Sequence, residues 1–164
     1  MIDIINKKTL EESFAESFSS PYFPILANIY LQEGDITRAK KVCEVGLKHD
    51  GTNVDGKFIL AKIALAENKL TVAEKWLKLV VSENSAHFRA LRLLINIEFQ
   101  LHRSSNTIRI YLNRLLKFLP DDTEGLHWQS QLQGPSTDES KTASPLPRAD
   151  VDDSLENKSS PVDN

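Results

Sequence analysis

The sequence predicts an all-α protein, a stack of antiparallel helix pairs with short capping helices and a disordered C-terminal tail. Three observations predict it. Two stretches match under a 34-residue shift of the chain, pairing Leu26 with Leu60, Ala27 with Ala61, Ile36 with Leu70, Ala39 with Ala73, Val42 with Trp76 and Leu47 with Val81. Within each stretch the apolar residues recur at spacings of three and four, as on one face of a helix. Each stretch is broken at its middle by a residue type that tolerates the left-handed conformation ending a helix, Gly34 in one and Asn68 in the other.

The elements follow in order. In the N-terminal segment, residues 1–19, Thr9 and Glu12 resemble a capping box that opens a short helix carrying Leu10, Phe14 and Phe18. The first pair, residues 20–53, carries Leu26, Ala27 and Tyr30, a turn at Gly34 where Asp35 can cap the next helix, then Ala39, Val42, Cys43 and Leu47. So short a turn folds the second helix back on the first, and Ala27 facing Ala39 lets the backbones approach. The second pair, residues 54–87, repeats this with Ala61 and Ala73, and Lys69 or Thr71 starts its second helix less ideally.

A third pair, residues 88–122, is divergent. Leu94 keeps the 34-residue register, but Ile95 and Thr107 replace small residues, so its helices are expected to splay. One inserted residue in the polar turn from Leu101 to Asn106 restores Tyr111, Leu115, Leu116 and Pro120 to register. A C-terminal capping helix, residues 123–133, starts after Asp121 and Asp122, with Leu126 and Leu132 on its inner side. From Gly134 to Asn164 there are four prolines, many Ser, Thr and Asp residues and no aromatic, so the tail is expected to be disordered.

Charge is unevenly placed. The tail holds seven acids against three bases, a net −4, so the chain from Met1 to Gln133 carries +1 of a total of −3. Cys43 is the only cysteine, which excludes an intrachain disulfide and a cysteine-based zinc site. The N-terminus has an acid where a signal peptide carries positive charge, and no apolar run approaches the ~20 residues of a membrane span, so the expectation is a cytoplasmic protein without a membrane partner. His49, His87, His102 and His127 lack metal-ligand spacing, and neither a phosphate loop nor a nucleophile motif is present. The sequence therefore predicts no enzyme, no cofactor and no metal site.

A 34-residue helix-turn-helix with Leu26-Ala27, Tyr30, Gly34-Asp35, Ala39 and Gly46-Leu47, echoed by Leu60-Ala61, Ala73 and Val80-Val81, resembles the tetratricopeptide repeat family. The resemblance covers residues 10–132. It implies a right-handed superhelical stack of about three repeats whose concave face is formed by the first helix of each pair and receives a peptide or a helix. Carried over residue by residue, the groove positions are Asn28, Leu31, Phe58, Lys62, Leu65, Arg89, Arg92, Asn96 and Phe99, together with Pro24. Apolar anchors beside three cations suit an acidic protein segment with hydrophobic side chains. Two planar guanidiniums, Arg89 and Arg92, can orient carboxylates, although a solvated helix face has the same composition.

Some family members grip a chaperone's C-terminal carboxylate with two lysines, two asparagines and an arginine. Asn28 and Arg89 stand at compatible positions, whereas Pro24, Ile59 and Leu93 replace the other donors, which argues against that specific activity. The function expected is a protein-interaction adaptor or scaffold. The alternative is a nucleic-acid-associated repeat protein using the basic third repeat, where Arg89, Arg92, Arg103, Arg109, Arg114 and Lys117 outnumber Glu98. The acidic stretch from Arg148 to Glu156 is itself the ligand type the groove suits, and is a candidate to dock there in cis; a solubilising spacer is the plainer reading of it.

Overall fold

The computed structural model describes residues 6–133, which form eight helices and, among the described residues, no strand. They are α1 (Lys7–Glu16), α2 (Phe23–Gln32), α3 (Ile36–His49), α4 (Val54–Ala66), α5 (Leu70–Glu83), α6 (Phe88–Gln100), α7 (Ser105–Phe118) and α8 (Thr123–Leu132). The expectations of a disordered tail and of its docking in cis lie outside the described residues.

Each pair turns by the same device. Gly34, Asn68 and His102 have positive φ, and the residue after each donates its N–H to a carbonyl five residues back: Asp35 to Tyr30 at 2.9 Å, Lys69 to Ala64 at 2.8 Å, Arg103 to Glu98 at 2.9 Å. This is the Schellman closure, which satisfies carbonyls left over at a helix end and reverses the chain. The third turn, Leu101–Ser104, is one residue longer than Glu33–Asp35 and Glu67–Lys69, as the inserted residue requires. Asp35 caps α3 through Arg38 N–H at 2.8 Å, Ser104 caps α7, and Lys69 supplies no side-chain cap to α5.

Small residues set the helix spacing. Ala27, Ala39, Ala61 and Ala73 are all fully buried where the paired helices meet. Between pairs, the buried ring of Phe23 occupies the space that a side chain at Gly46 or Gly56 would need; a Cβ on Gly56 would sit 2.6 Å from Phe23 Cε2, and one on Gly46 would clash with Cγ, Cδ1 and Cδ2 of the same ring. These two glycines let α2, α3 and α4 close around one aromatic.

In the third pair Ile95 is fully buried and Thr107 half-buried, and α6 meets α7 along a shorter interface than α2 with α3 or α4 with α5. An ionic cluster takes over there. Glu74 accepts from Lys78 at 2.5 Å and from Arg103 at 2.7 Å, and Lys78 Nζ also lies 2.9 Å from Oε1 of the fully buried Glu98. Neither Glu98 oxygen receives a well-aligned hydrogen bond, so its partnership with Lys78 is chiefly Coulombic. Burial disfavours the Glu74 carboxylate, but the hydrogen bonds from Arg103 and Lys78 outweigh it and hold its pKa below the ordinary value. The cluster joins α5, α6 and the α6–α7 turn.

Both ends differ in detail from the sequence expectation. Asn6, not Thr9, caps α1, by accepting from Lys8 N–H at 3.0 Å, and the helix ends at Glu16, which leaves Phe18 beyond it and half-exposed. The cap docks instead through buried Leu10 and through Glu11, which accepts from Tyr30 Oη at 2.5 Å. In α8 the buried face is Gly125 and Trp128 rather than Leu126, which is 44% exposed. Gly125 lies so close to Leu116 that a Cβ would be 2.9 Å from its Cδ2, and on the same side of the helix Trp128 packs against Phe99.

Gly46→Ala should lower unfolding free energy by about 1–3 kcal/mol in urea titration, because overpacking against Phe23 outweighs the roughly 1 kcal/mol that alanine gains in a helix. Lys78→Met should cost about 2–4 kcal/mol by leaving Glu98 buried without a counter-charge, and Lys78→Met with Glu98→Leu should recover much of that loss in the same titration.

Candidate binding groove

The first helices of the three pairs lie side by side, and their exposed faces form a groove with two cavities of about 270 Å³ and about 370 Å³ that share Phe58, Lys62 and Arg89. Twelve of the lining residues form a grid whose rows follow the 34-residue register: Pro21, Asp55 and Arg89; Pro24, Phe58 and Arg92; Ile25, Ile59 and Leu93; Asn28, Lys62 and Asn96. Within one helix the rows fall at steps of three, four and seven, which is one helical face. Glu124, at the start of α8, closes one end.

The structure brings together Asn28, Phe58, Lys62, Arg89, Arg92 and Asn96 of the positions expected from sequence. Leu31, Leu65 and Phe99, which keep the same register, stand outside both cavities, half-buried against the core. Ile25, Asp55 and Pro21 also line the cavities beyond the positions expected from sequence, as do Ile59 and Leu93, whose side chains carry no donors. The 34-residue shift applied to Arg89 and to Leu93 would have found all five; Glu124 has no counterpart in the repeat and no such signal.

The cations of the groove differ in what they already hold. Arg92 is ion-paired with Asp122, whose side chain is 1% exposed and whose Oδ1 also accepts from Gly125 N–H at 2.7 Å to cap α8. Burial opposes ionisation of Asp122, but the Gly125 N–H and Arg92 outweigh it and keep the carboxyl below its ordinary pKa. Arg92 thus fastens α8 to α6. Lys62 Nζ donates to Asn28 Oδ1 at 2.6 Å and, among the described residues, has no carboxylate within 4.0 Å. Its pKa is lowered by burial and, secondarily, by the charge of Arg89. Arg89 makes no ion pair among the described residues; its guanidinium lies 5.6 Å from the centroid of Phe58. Phe58 is only 6% exposed and also packs on His87, whose Nδ1 accepts from Ala90 N–H at 3.1 Å and so carries its proton, when neutral, on Nε2.

Among the described residues no cluster of three or more His, Cys, Asp or Glu could hold a metal ion, and no helix is long and apolar enough to cross a membrane. The Cys43 thiol is fully buried; burial and then the charge of Glu44 push its pKa up to about 12, so it is a packing residue and no nucleophile.

No protein-family model matches the chain, and no curated protein matches it. Among solved structures, one described as the first TPR of Spaghetti (RPAP3) bound to the HSP90 peptide SRMEEVD superimposes with a TM-score of 0.60 at 20% identity, covering 68% of this chain and 87% of that one. The fold is that of a tetratricopeptide repeat domain. At 20% identity the likeness bears on the fold alone.

Arg92→Leu should speed amide exchange at Gly125 and through α8 at least tenfold and leave α2 to α5 unchanged, as read by hydrogen–deuterium exchange. Equal protection in both proteins would mean that Asp122 holds α8 without Arg92.

Proposed function

We propose that this protein is a non-catalytic adaptor that holds a segment of another protein in the groove of α2, α4 and α6. The observation that carries this reading is the Lys62–Arg89 pair, two cations without a carboxylate partner among the described residues, beside the apolar surfaces of Ile25, Phe58 and Ile59. An acidic segment with hydrophobic side chains matches both halves of that surface. The solved neighbour, with its bound HSP90 peptide, supports a protein ligand. The departures at Pro24, Ile59 and Leu93 favour a ligand other than that peptide, so SRMEEVD should bind this chain weakly.

Four arginines of the third pair are occupied: Arg92 by Asp122, Arg103 by Glu74, Arg109 by the Leu132 carbonyl at 2.9 Å and Arg114 by the Val81 carbonyl at 3.3 Å. Arg92 and Arg103 are neutralised by carboxylates and Arg109 and Arg114 are anchored to carbonyls, which leaves fewer free cations for the phosphates of a nucleic acid and favours a protein ligand.

The test selects randomised twelve-residue segments, displayed between two fixed flanks, on the full chain and then compares two exposed apolar positions. Ile25→Ser, in the groove, should weaken the selected segments about tenfold, whereas Leu79→Ser, on the outer helix α5, should leave them unchanged. The reverse pattern would place recognition on the outer face and refute the groove reading.

A further inference from the structure

We infer that Lys62 and Arg89, steadied by Asn28 and Phe58, form a subsite for one Asp or Glu side chain inside the bound segment, with an apolar residue of the same segment seated in the adjoining well of Ile25, Phe58 and Ile59. The inference rests on the groove reading above and deepens it, from a surface that suits acids to a site that takes a single internal carboxylate.

The first argument is the state of Lys62. Of the buried or half-buried lysines, Lys7, Lys40, Lys57 and Lys78 each have a carboxylate within 4.0 Å, whereas Lys62 has none among the described residues. Its neighbour Arg89 repels it, and burial penalises its charge. A half-buried ammonium beside a guanidinium is an unfavourable arrangement that an incoming anion relieves twice. Asn28 Oδ1 holds the ammonium from one side at 2.6 Å, and the Phe58 face receives the guanidinium, so both donors are positioned before the ligand arrives.

The second argument is the boundary. Asp55 and Glu124 line the cavities on either side of the cationic pair, and Arg92 is committed to Asp122. The two cations are offset in number by these two acids, so attraction for an anion is confined to the pair itself and gives way to repulsion toward either acid. A carboxylate fits this limit, whereas a doubly charged phosphate, or a run of acids extending toward Glu124, meets repulsion. The segment that binds best should therefore carry one acid flanked by apolar and neutral or basic residues. An internal side chain is favoured over a chain terminus because Pro24, Ile59 and Leu93 offer no donors to a second carboxylate oxygen pair.

The experiment uses the strongest segment from the displayed library, synthesised with both ends blocked. We expect an Asp or Glu within four residues of Leu, Ile or Phe, and at least tenfold weaker binding after that acid is replaced by its amide. Lys62→Met should lose the same factor, and the two changes together should lose little more than either alone, because each removes the same contact. Melting of Lys62→Met at or above the wild-type temperature would show that the lost affinity is not lost folding. Phosphoserine in place of the acid should bind no more tightly, and Glu124→Gln should admit segments with two acids. If segments weakened by Ile25→Ser carry no acid, or if the amide binds as well as the acid, the groove reading stands and the carboxylate subsite is refuted. If no segment depends on Ile25, both fail together.

Discussion

The shared register of α2, α4 and α6 is the constraint on which the rest of the structure depends, and the turns that end each of these helices have one design. Gly34, Asn68 and His102 each take positive φ and each closes the preceding helix by the same five-residue-back hydrogen bond. An α-carbon in this region costs a side chain about 1–2 kcal/mol, which glycine avoids and asparagine and histidine tolerate. Once the turn is set, α2, α4 and α6 present equivalent faces, and the four rows of the groove line up across them. The extra residue of the third turn leaves the rows intact, because Leu101–Ser104 follows α6 and lies beyond the three groove helices.

Two different physical solutions hold the pairs together. The first two pairs rely on closeness: alanines where paired helices meet, and two glycines that admit the ring of Phe23. The third has Ile95 in place of the small residue and a shorter interface between α6 and α7, and ionic contacts tie it to α5 of the second pair. Arg103 reaches back from the α6–α7 turn to Glu74, and Lys78 lies between Glu74 and Glu98, so two cations match two acids. Dispersion forces need contact, whereas charge pairs on long side chains can reach from α5 to α6 and to the turn after it, so the third pair can diverge and still be tied to the second.

The same division between occupied and unoccupied charge organises the groove. Arg92 and Lys62 are similar on a composition count, yet one is tied into the end of α8 and the other faces a cavity with no carboxylate partner among the described residues. A charge already neutralised by a buried acid contributes to stability; one left uncompensated and partly desolvated contributes to recognition at some cost in stability. Asp55 and Glu124 then limit how much opposite charge the site accepts.

Period, turns and helix pairing were legible in the residues alone, because they follow from local spacing: apolar steps of three and four, a 34-residue shift, and Gly34 or Asn68 at the break. Much of the groove was legible for the same reason, since Asn28, Lys62 and Asn96, or Phe58 and Arg92, occupy repeated positions. Three things were not. The row of Leu31, Leu65 and Phe99 is as periodic as the groove rows, and only the docking of neighbouring helices put it against the core. The orientation of α8, with Trp128 inward and Leu126 outward, depends on how closely Gly125 approaches Leu116. The pairing of Arg92 with Asp122, and the distance that keeps Lys62 from the carboxylates around it, involve side chains far apart along the chain. The sequence by itself determined which residues repeat, because a helix face is a property of neighbours along the chain; only the tertiary structure decided which charges meet, because that depends on distances between helices.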